Sequence, residues 1–484
     1  MSNMPTLIEP RERVLSTLNK DGSRRWLKPR VSRGSLWRSR RALAWILIAI
    51  FVALPLLRIN SRPAILLDVV KREFTFFGKV FLPTDTLLMA LLMLSLFLTV
   101  FLVTALFGRV WCGWACPQTV YMEFVFRPLE RWAEGEPGRT KKHDAYLGLR
   151  QGIKYALYAL ISVALAHVFL SYFVGWERLI HWMIGSPFNH VAGFITVLLV
   201  SALMMFDFAY FREQTCIVAC PYGRFQSVLL DRKSTIVAYD LTRGEPRGKL
   251  SKSHPDVPLP VMGQPEPHAA SHTGDCVDCG LCVQTCPTGI DIREGLQMEC
   301  INCTQCIDAC DAVMTRVKRP TGLIRLASLD EIEGKKQSAF RPRLFIYPLA
   351  LVISLGSFIT LLAMSKPADV TFLRARGLPY NLLLSGEIAN TLRVKITNRT
   401  DEPRDYSISI AGADDLRLEI AENPMHVAAG QMREEPMLVV GPASMFTKGR
   451  ATINVTISDG GQFTQQLTYG LLGPSIAPAP GAPR

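Results

Sequence analysis

Twelve of the 484 residues are Cys, and their spacing is what carries chemistry. Cys276, Cys279, Cys282 and Cys286-Pro287 form a C-x2-C-x2-C-x3-C-P run. Cys300, Cys303, Cys306 and Cys310 repeat the spacing, with Asp311 in place of the second proline. This is the pattern of a two-cluster bacterial ferredoxin, in which three thiolates of each run converge on one cubane and the fourth crosses to the other. One [4Fe-4S] cluster is then expected on Cys276, Cys279, Cys282 and Cys310, and a second on Cys300, Cys303, Cys306 and Cys286. A pair of four-cysteine zinc sites also uses C-x2-C spacing, but seldom the third short step or the C-P ending.

The other four cysteines form a second repeat. Trp111-Cys112-Gly113-Trp114-Ala115-Cys116-Pro117 and Cys216-Ile217-Val218-Ala219-Cys220-Pro221 both read C-x3-C-P. If the two turns pack side by side, Cys112, Cys116, Cys216 and Cys220 offer four soft thiolates suited to Cu(I), zinc or a third iron–sulfur cluster. They could also cycle between dithiol and disulfide. Arg109, Arg212 and Arg224 are close in sequence and are expected to favour thiolate over thiol.

Elements must position these groups. Five apolar stretches approach the ~20 residues that cross a bilayer: Ala42 to Leu57, Thr86 to Phe107, Tyr155 to Trp176, Ser186 to Phe206 and Leu344 to Ser365. The first, bounded by Arg41 and Arg58, is the shortest. Hydrophobic residues make up 49% of the chain and charged residues 20%, with a net charge of +13, which excludes a disordered chain and an ordinary soluble enzyme. Alternate segments between the stretches hold 36 and 18 of the 54 Lys and Arg. By the positive-inside rule the first set is cytoplasmic: the N-terminus, the segment after the second stretch and the insert from Asp207 to Arg343. The C-terminal part is then outside, in the periplasm of a Gram-negative cell. All twelve cysteines fall on the inner side.

The expected architecture is an α-helical integral membrane protein of about five spans, with an inserted two-cluster α+β ferredoxin-like module and a C-terminal all-β sandwich. Its parts are a basic arm (1–41), a four-span domain (42–211), a linker (212–270), the ferredoxin module (271–320), a connector (321–343), the fifth span (344–365), the β-domain (366–473) and a disordered tail (474–484). Leu392 to Ile396 and Ile453 to Ile457 alternate as strands do, and Asp459-Gly460-Gly461 is a hairpin turn. The β-domain has no Cys and one His, and reads as an interaction or spacing domain. His167, His181 and His190, with Met183, fall near the outer ends of the third and fourth stretches, where a metal or haem could bind. The basic arm would also suit nucleic acid, but next to an apolar span its charge reads as a topology signal and no nucleic-acid partner is expected. No phosphate-binding glycine loop, dinucleotide fingerprint or C-x-x-C-H haem motif is present.

The order of parts, with W-C-G-W-A-C-P-Q and C-x3-C-P-Y-G-R-F-Q, resembles the CcoG (FixG, RdxA) family of accessory proteins for assembly of cbb3-type cytochrome c oxidase. The C-x3-C-P motifs are shared with membrane ferredoxins of NapH and NosR type. The resemblance implies reduction of Cu(II) to Cu(I) for the oxidase's copper site, and an immunoglobulin-like outer domain. It implies as partners the membrane, oxidase assembly factors or copper carriers, and a cytoplasmic electron donor; a homodimer stays open. Two alternatives stand beside it: a quinol-linked electron-transfer subunit, and a non-catalytic iron–sulfur scaffold.

Overall fold

The structure, a computed structural model, describes residues 16–475 except 20, 22, 60–61, 71–72, 82–84, 137–145, 250–273, 336–341, 365, 376, 401, 412–414 and 462. The chain divides into two compact units: Met1–Leu56 with Met89–Ser357, and Leu57–Leu88 with Phe358–Arg484.

Among the described residues four helices are long and apolar enough to cross a membrane: Thr86–Phe107, Leu147–Val174, Pro187–Phe211 and Leu344–Ala363. By length and composition they mark a membrane protein. Many of their Leu, Ile and Phe side chains are exposed, as on Leu94, Phe97, Leu198 and Ile353, which is how a helix meets lipid rather than a protein core. The third expected stretch extends eight residues towards the N-terminus. The fourth continues through a π-helical turn at Asp207–Phe211.

The first apolar stretch differs. Its helix is Ser35–Ala53, so Arg38, Arg40 and Arg41 lie inside the helix rather than beside it. It is not among the four helices that qualify as spans. Arg40 is fully buried and its Nε donates to the carbonyl of Gly113 at 2.5 Å. Pro55, two residues beyond the last helical residue, stops the helix where its missing N–H and fixed φ cannot continue it.

The arm that precedes this helix is more than a charge signal. Its described part packs on the cysteine-rich module. Leu27 is buried, Arg30 N donates to Gln284 O at 2.9 Å, and Ser16 Oγ donates to Thr288 O at 2.7 Å. The Asp308 carboxylate accepts from the backbone N–H of Leu36 and Trp37, at 3.3 and 2.7 Å. It therefore caps a helix more than 270 residues away in sequence, a task usually done by the residue just before the helix.

The segment expected to be a linker is partly a structural strand. Ile236–Tyr239, fully buried, pairs antiparallel with Ile324–Ala327, which falls in the expected connector. Val237, Tyr239, Leu323 and Ile324 share a core with Cys276, Cys282 and Cys300. Composition misled here, because this strand is short and flanked by polar residues. Residues 250–273, which cover the end of that linker and the first three residues of the expected ferredoxin module, and the C-terminal tail from 476 lie outside the described residues.

The second unit holds two antiparallel sheets around one core. One runs Arg417–Ile420, Met432–Gly441, Ile388–Asn398 and Ala368–Arg374, with Asn381–Leu382 at its side; the other runs Met425–Val427, Arg404–Ala411, Arg450–Ser458 and Thr464–Leu472. Ile388, Leu392, Val394 and Ile396 from the first meet Tyr406, Ile453, Val455 and Ile457 from the second. The Asp459 turn forms as expected: its Oδ1 accepts from Gly461 N and Phe463 N, both at 2.9 Å, and Gly460 takes a φ of 72°. A small sheet of Ile65–Asp68, Glu73–Phe76 and Lys79–Phe81, not foreseen from sequence, belongs to the same unit. Arg399 pairs with Asp85 at 3.0 Å, and Arg62 Nη2 donates to Thr400 O at 3.0 Å.

Candidate functional site

The two cysteine runs share one backbone. Asp278 and Asn302, each before the second Cys of its run, have φ of 49° and 52°. Gly280 and Thr304, each after it, have φ of 65° and 61°. These left-handed positions fold each run back on itself and turn its thiols inward. A β-branched residue is strained there. Thr304 is held by burial and by donation from its hydroxyl to Cys303 O at 2.7 Å.

Cys276, Cys279, Cys282 and Cys310 line one pocket, with Tyr239, Val313 and Leu323. Cys286, Cys300, Cys303 and Cys306 line a second, with Val237, Ile290 and Ile301; Cys282 touches both. So Cys310 of the second run faces the first pocket, and Cys286 of the first run faces the second. Among the described residues no three Cys, His, Asp or Glu side chains are gathered as one bare metal ion requires. Four thiols spread around a pocket form the donor set of a cubane. Burial pushes Cys282, Cys303 and Cys310 up to about 12 and Cys300 up to about 11, and Cys306 well above the usual thiol range. These groups are therefore thiols until a cation displaces their protons.

The C-x3-C-P motifs have a local reason of their own. Cys116 and Cys220 are extended N-cap residues, and Pro117 and Pro221 open the helices Pro117–Tyr121 and Pro221–Leu229. Proline suits the first helical position because its fixed φ fits and its missing N–H is not needed. Cys112 lies on a short helix, Val110–Trp114, and Cys216 on a π-helical turn, Thr215–Ala219. Each of the four thiols lies within electrostatic reach of the other three. The two repeats thus lie near one another, although no three of these described thiols are gathered as one bare metal ion requires.

Burial raises Cys112 and Cys116, and pushes Cys216 up to about 12. This corrects the expectation that nearby arginines would favour thiolate. Arg212 is taken by Glu130, at 2.8 and 2.9 Å, while Arg109 alone reaches a thiol, with Nη2 4.0 Å from Cys112 Sγ. The side chain of Arg224 lies outside the described residues. Cys112 Sγ donates to Gln226 Oε1 at 2.9 Å, and Gln226 Nε2 donates to Tyr222 OH and Thr104 Oγ1 at 2.7 and 2.9 Å. Gln226 and Tyr222 were visible in the motif only as letters after C-P; nothing marked them as partners of Cys112.

The two thiol systems meet directly. Cys112 packs with Ile301, Cys303 and Tyr222 in one buried cluster. A Cβ on Gly113 would come within 2.4 Å of Ile301 O, so only glycine permits this approach. Trp114 Nε1 donates to Asn302 O at 3.2 Å. Beside this contact Arg127 bridges Glu123 and Glu213 and donates to Pro287 O at 3.2 Å, tying the first C-x3-C-P segment to the chain after Cys286.

The histidines do not gather at one point. His167, His190 and Met183 line a cavity of about 370 Å³ together with Trp182 and Ser201, whereas His181 is not part of its lining. His190 stacks on Trp182 with ring centroids 4.4 Å apart, and His167 Nδ1 is engaged with Val163 O at 2.8 Å.

Comparison with known proteins bears on the whole chain. A 4Fe-4S dicluster domain model matches residues 211–329, and a 4Fe-4S binding domain model matches residues 89–134. Residues 358–474 match the model of the IG-like fold at the C-terminus of FixG. Proteins RdxB and RdxA of Cereibacter sphaeroides are each 35% identical, over 80% and 78% of this chain and 83% and 81% of theirs. The chain belongs to the FixG/RdxA family. Nitrogen fixation protein FixG of Rhizobium meliloti is 30% identical over 82% of this chain and 81% of its own. Membership makes this a membrane iron–sulfur protein of the oxidoreductase type, and the eight-thiol donor set of the two pockets fits such clusters.

Proposed function

We propose that this member of the family is a membrane cupric reductase that converts Cu(II) to Cu(I) for assembly of a cbb3-type cytochrome c oxidase. The observation that carries the reading is the seating of Cys112 and Gly113 on the Ile301–Cys303 loop.

Cys276, Cys279, Cys282 and Cys310 would hold one [4Fe-4S] cluster and Cys300, Cys303, Cys306 and Cys286 the other. When bound, such clusters supply one-electron transfer. Cys112, Cys116, Cys216 and Cys220 bind the substrate copper, and their soft sulfurs prefer the Cu(I) product. Each Cu(II) takes up one electron. Thiol protons leave as copper binds, because burial holds Cys112, Cys116 and Cys216 as thiols. Gly113, Trp114 and Arg40 keep the copper site against the second pocket, so the electron has a short path.

Orientation follows the charge count, which requires the helix Ser35–Ala53 to cross as a fifth span: arm and cysteine module in the cytoplasm, C-terminal domain in the periplasm, in a bacterial inner membrane. Two contacts support it. The arm packs on the cysteine module, and the small sheet at 65–81 shares a unit with the C-terminal sheets. The immunoglobulin-like class of that domain rests on the matched family model.

The test uses anaerobically purified, pre-reduced and desalted protein, with Cu(I) trapped by a chromogenic chelator. Joint replacement of Cys216 and Cys220 by Ser should abolish reduction while about eight iron per chain remain. Unchanged reduction with that iron intact removes the pair from the mechanism. About twelve iron in the unmodified protein would instead place a third cluster on the four thiols.

The quinol-linked reading has one observation in its favour, the apolar cavity at His167, His190 and Ser201, whose buried hydroxyl lacks a partner among the described residues. Reduction of the clusters by a short-chain quinol without copper would favour it.

A further inference from the structure

Two buried arginines lie beside the second pocket without a carboxylate ion pair of their own among the described residues. Arg109 is 3% exposed. Its Nη1 donates to Met298 O, its Nη2 lies 4.0 Å from Cys112 Sγ, and its Nε has no partner among the described residues. Its charge is felt by Cys112 and Cys216 on one side and by Cys300 on the other. Arg40 is the second, fully buried. Only its Nε is hydrogen-bonded, to Gly113 O; both terminal nitrogens are buried without a hydrogen-bond partner among the described residues, its guanidinium lies over the Phe124 ring at 5.4 Å, and its charge is felt by Cys303. Glu123 is near Arg40 but is ion-paired with Arg127, and half-buried Glu299 is the acid that opposes Arg109 at Cys300.

A buried guanidinium with no counter-ion is costly, and proteins rarely keep one without an anion to face. The remaining buried arginines here obey that rule: Arg127 and Arg212 pair with Glu213, and Arg212 also with Glu130. At the first pocket Arg293 is neutralised twice, by Asp291 at 2.7 Å and Asp278 at 2.6 Å. With a cluster bound, the thiolate-held charge of the second pocket would be the anion that Arg40 and Arg109 face. Local positive charge stabilises the more negative, reduced form of an iron–sulfur centre, and burial and hydrogen bonding tune it further.

We propose that Arg40 and Arg109 are positioning residues that hold the second pocket at a higher reduction potential than the first, so that electrons entering at exposed Cys279 collect beside Cys112. The step is one electron moved from the reduced first centre to the oxidised second, with no bond made or broken. This rests on the iron–sulfur reading but not on copper.

The test is a potentiometric EPR titration of iron-loaded, copper-free full-length protein, with the first-pocket signal assigned through Cys279→Ser. The second pocket should be reduced at the higher potential. R109Q should lower that potential by about 60 mV, a tenfold change in a one-electron equilibrium. It should leave the first pocket unmoved, and R109K should restore the value. An equal or reversed order in the unmodified protein overturns the proposal, as does R109Q that keeps its iron and its potential. If R109Q loses iron, R40Q decides: a lowered second potential supports the proposal and an unshifted one overturns it. Absence of any cluster signal in unmodified, iron-reconstituted protein would defeat the underlying iron–sulfur reading itself.

Discussion

The two cysteine pockets have one spacing and one backbone, yet opposite surroundings. The first has an exposed thiol, Cys279, and its arginine, Arg293, is bound by two aspartates. The second has Cys300 and Cys303 buried, and two arginines with no carboxylate partner among the described residues. A repeat in sequence has become a direction in space. One pocket has a thiol open to solvent, Cys279, where a donor can reach it; the other abuts Cys112.

The comparison can be broken most severely at its ligands. Cys303→Ala should cost about half of the iron and bring copper reduction by pre-reduced protein to background, whereas Cys279→Ala should cost a similar amount of iron but leave that reaction. Iron analysis beside the chelator assay distinguishes them, and equal loss in both would end the idea of a proximal pocket.

The contact between the two thiol systems is the next target. Gly113→Val forces a side chain into the Ile301 carbonyl, an overpacking worth about 1–3 kcal/mol. Iron should stay near its normal content while copper reduction falls. Normal reduction in a variant with lowered Tm would show that the contact is structural only.

Metal-stripped protein sharpens the contrast in exposure. Cys279 should be alkylated first. Cys303, whose thiol burial pushes well above its usual range, stays protonated at pH 8. Its rate should climb about tenfold per pH unit, since raising pH towards the pKa supplies the reactive form. Equal rates at pH 8, read by mass spectrometry, would contradict the burial assigned to the second pocket.

The smallest effect is expected at Asp308→Ala, which removes the cap from the helix Ser35–Ala53. Loss of an N-cap costs about 1 kcal/mol. Tm should drop slightly and limited proteolysis of the 16–34 segment should quicken, with iron unchanged. Unaltered proteolysis would mean that the arm is held by other contacts, such as Leu27 against Gly289.

Much of the architecture was legible because its signals are local. Apolar runs of membrane length, C-x2-C spacings and the alternation at Leu392–Ile396 each report on a few consecutive residues. The strand Ile236–Tyr239 was missed because a four-residue strand has too short a period to stand out from a polar context. Its partner, Ile324–Ala327, lies beyond the whole cysteine module. The helix Ser35–Ala53 was misjudged at its start because burial of Arg40 depends on Gly113, 73 residues away. Gln226 carries no mark of its role, since a buried amide is defined only by the groups it meets.

Sequence alone determined which residues could bind metal, because ligand chemistry and short spacings are written in consecutive letters. It also determined that the chain enters a membrane, because that depends on composition. Tertiary structure alone decided which thiols share a pocket, which pocket abuts Cys112, and which arginines are left without an acid. Those are properties of distance and burial, and they arise only when segments far apart in the chain are brought together and water is excluded from between them.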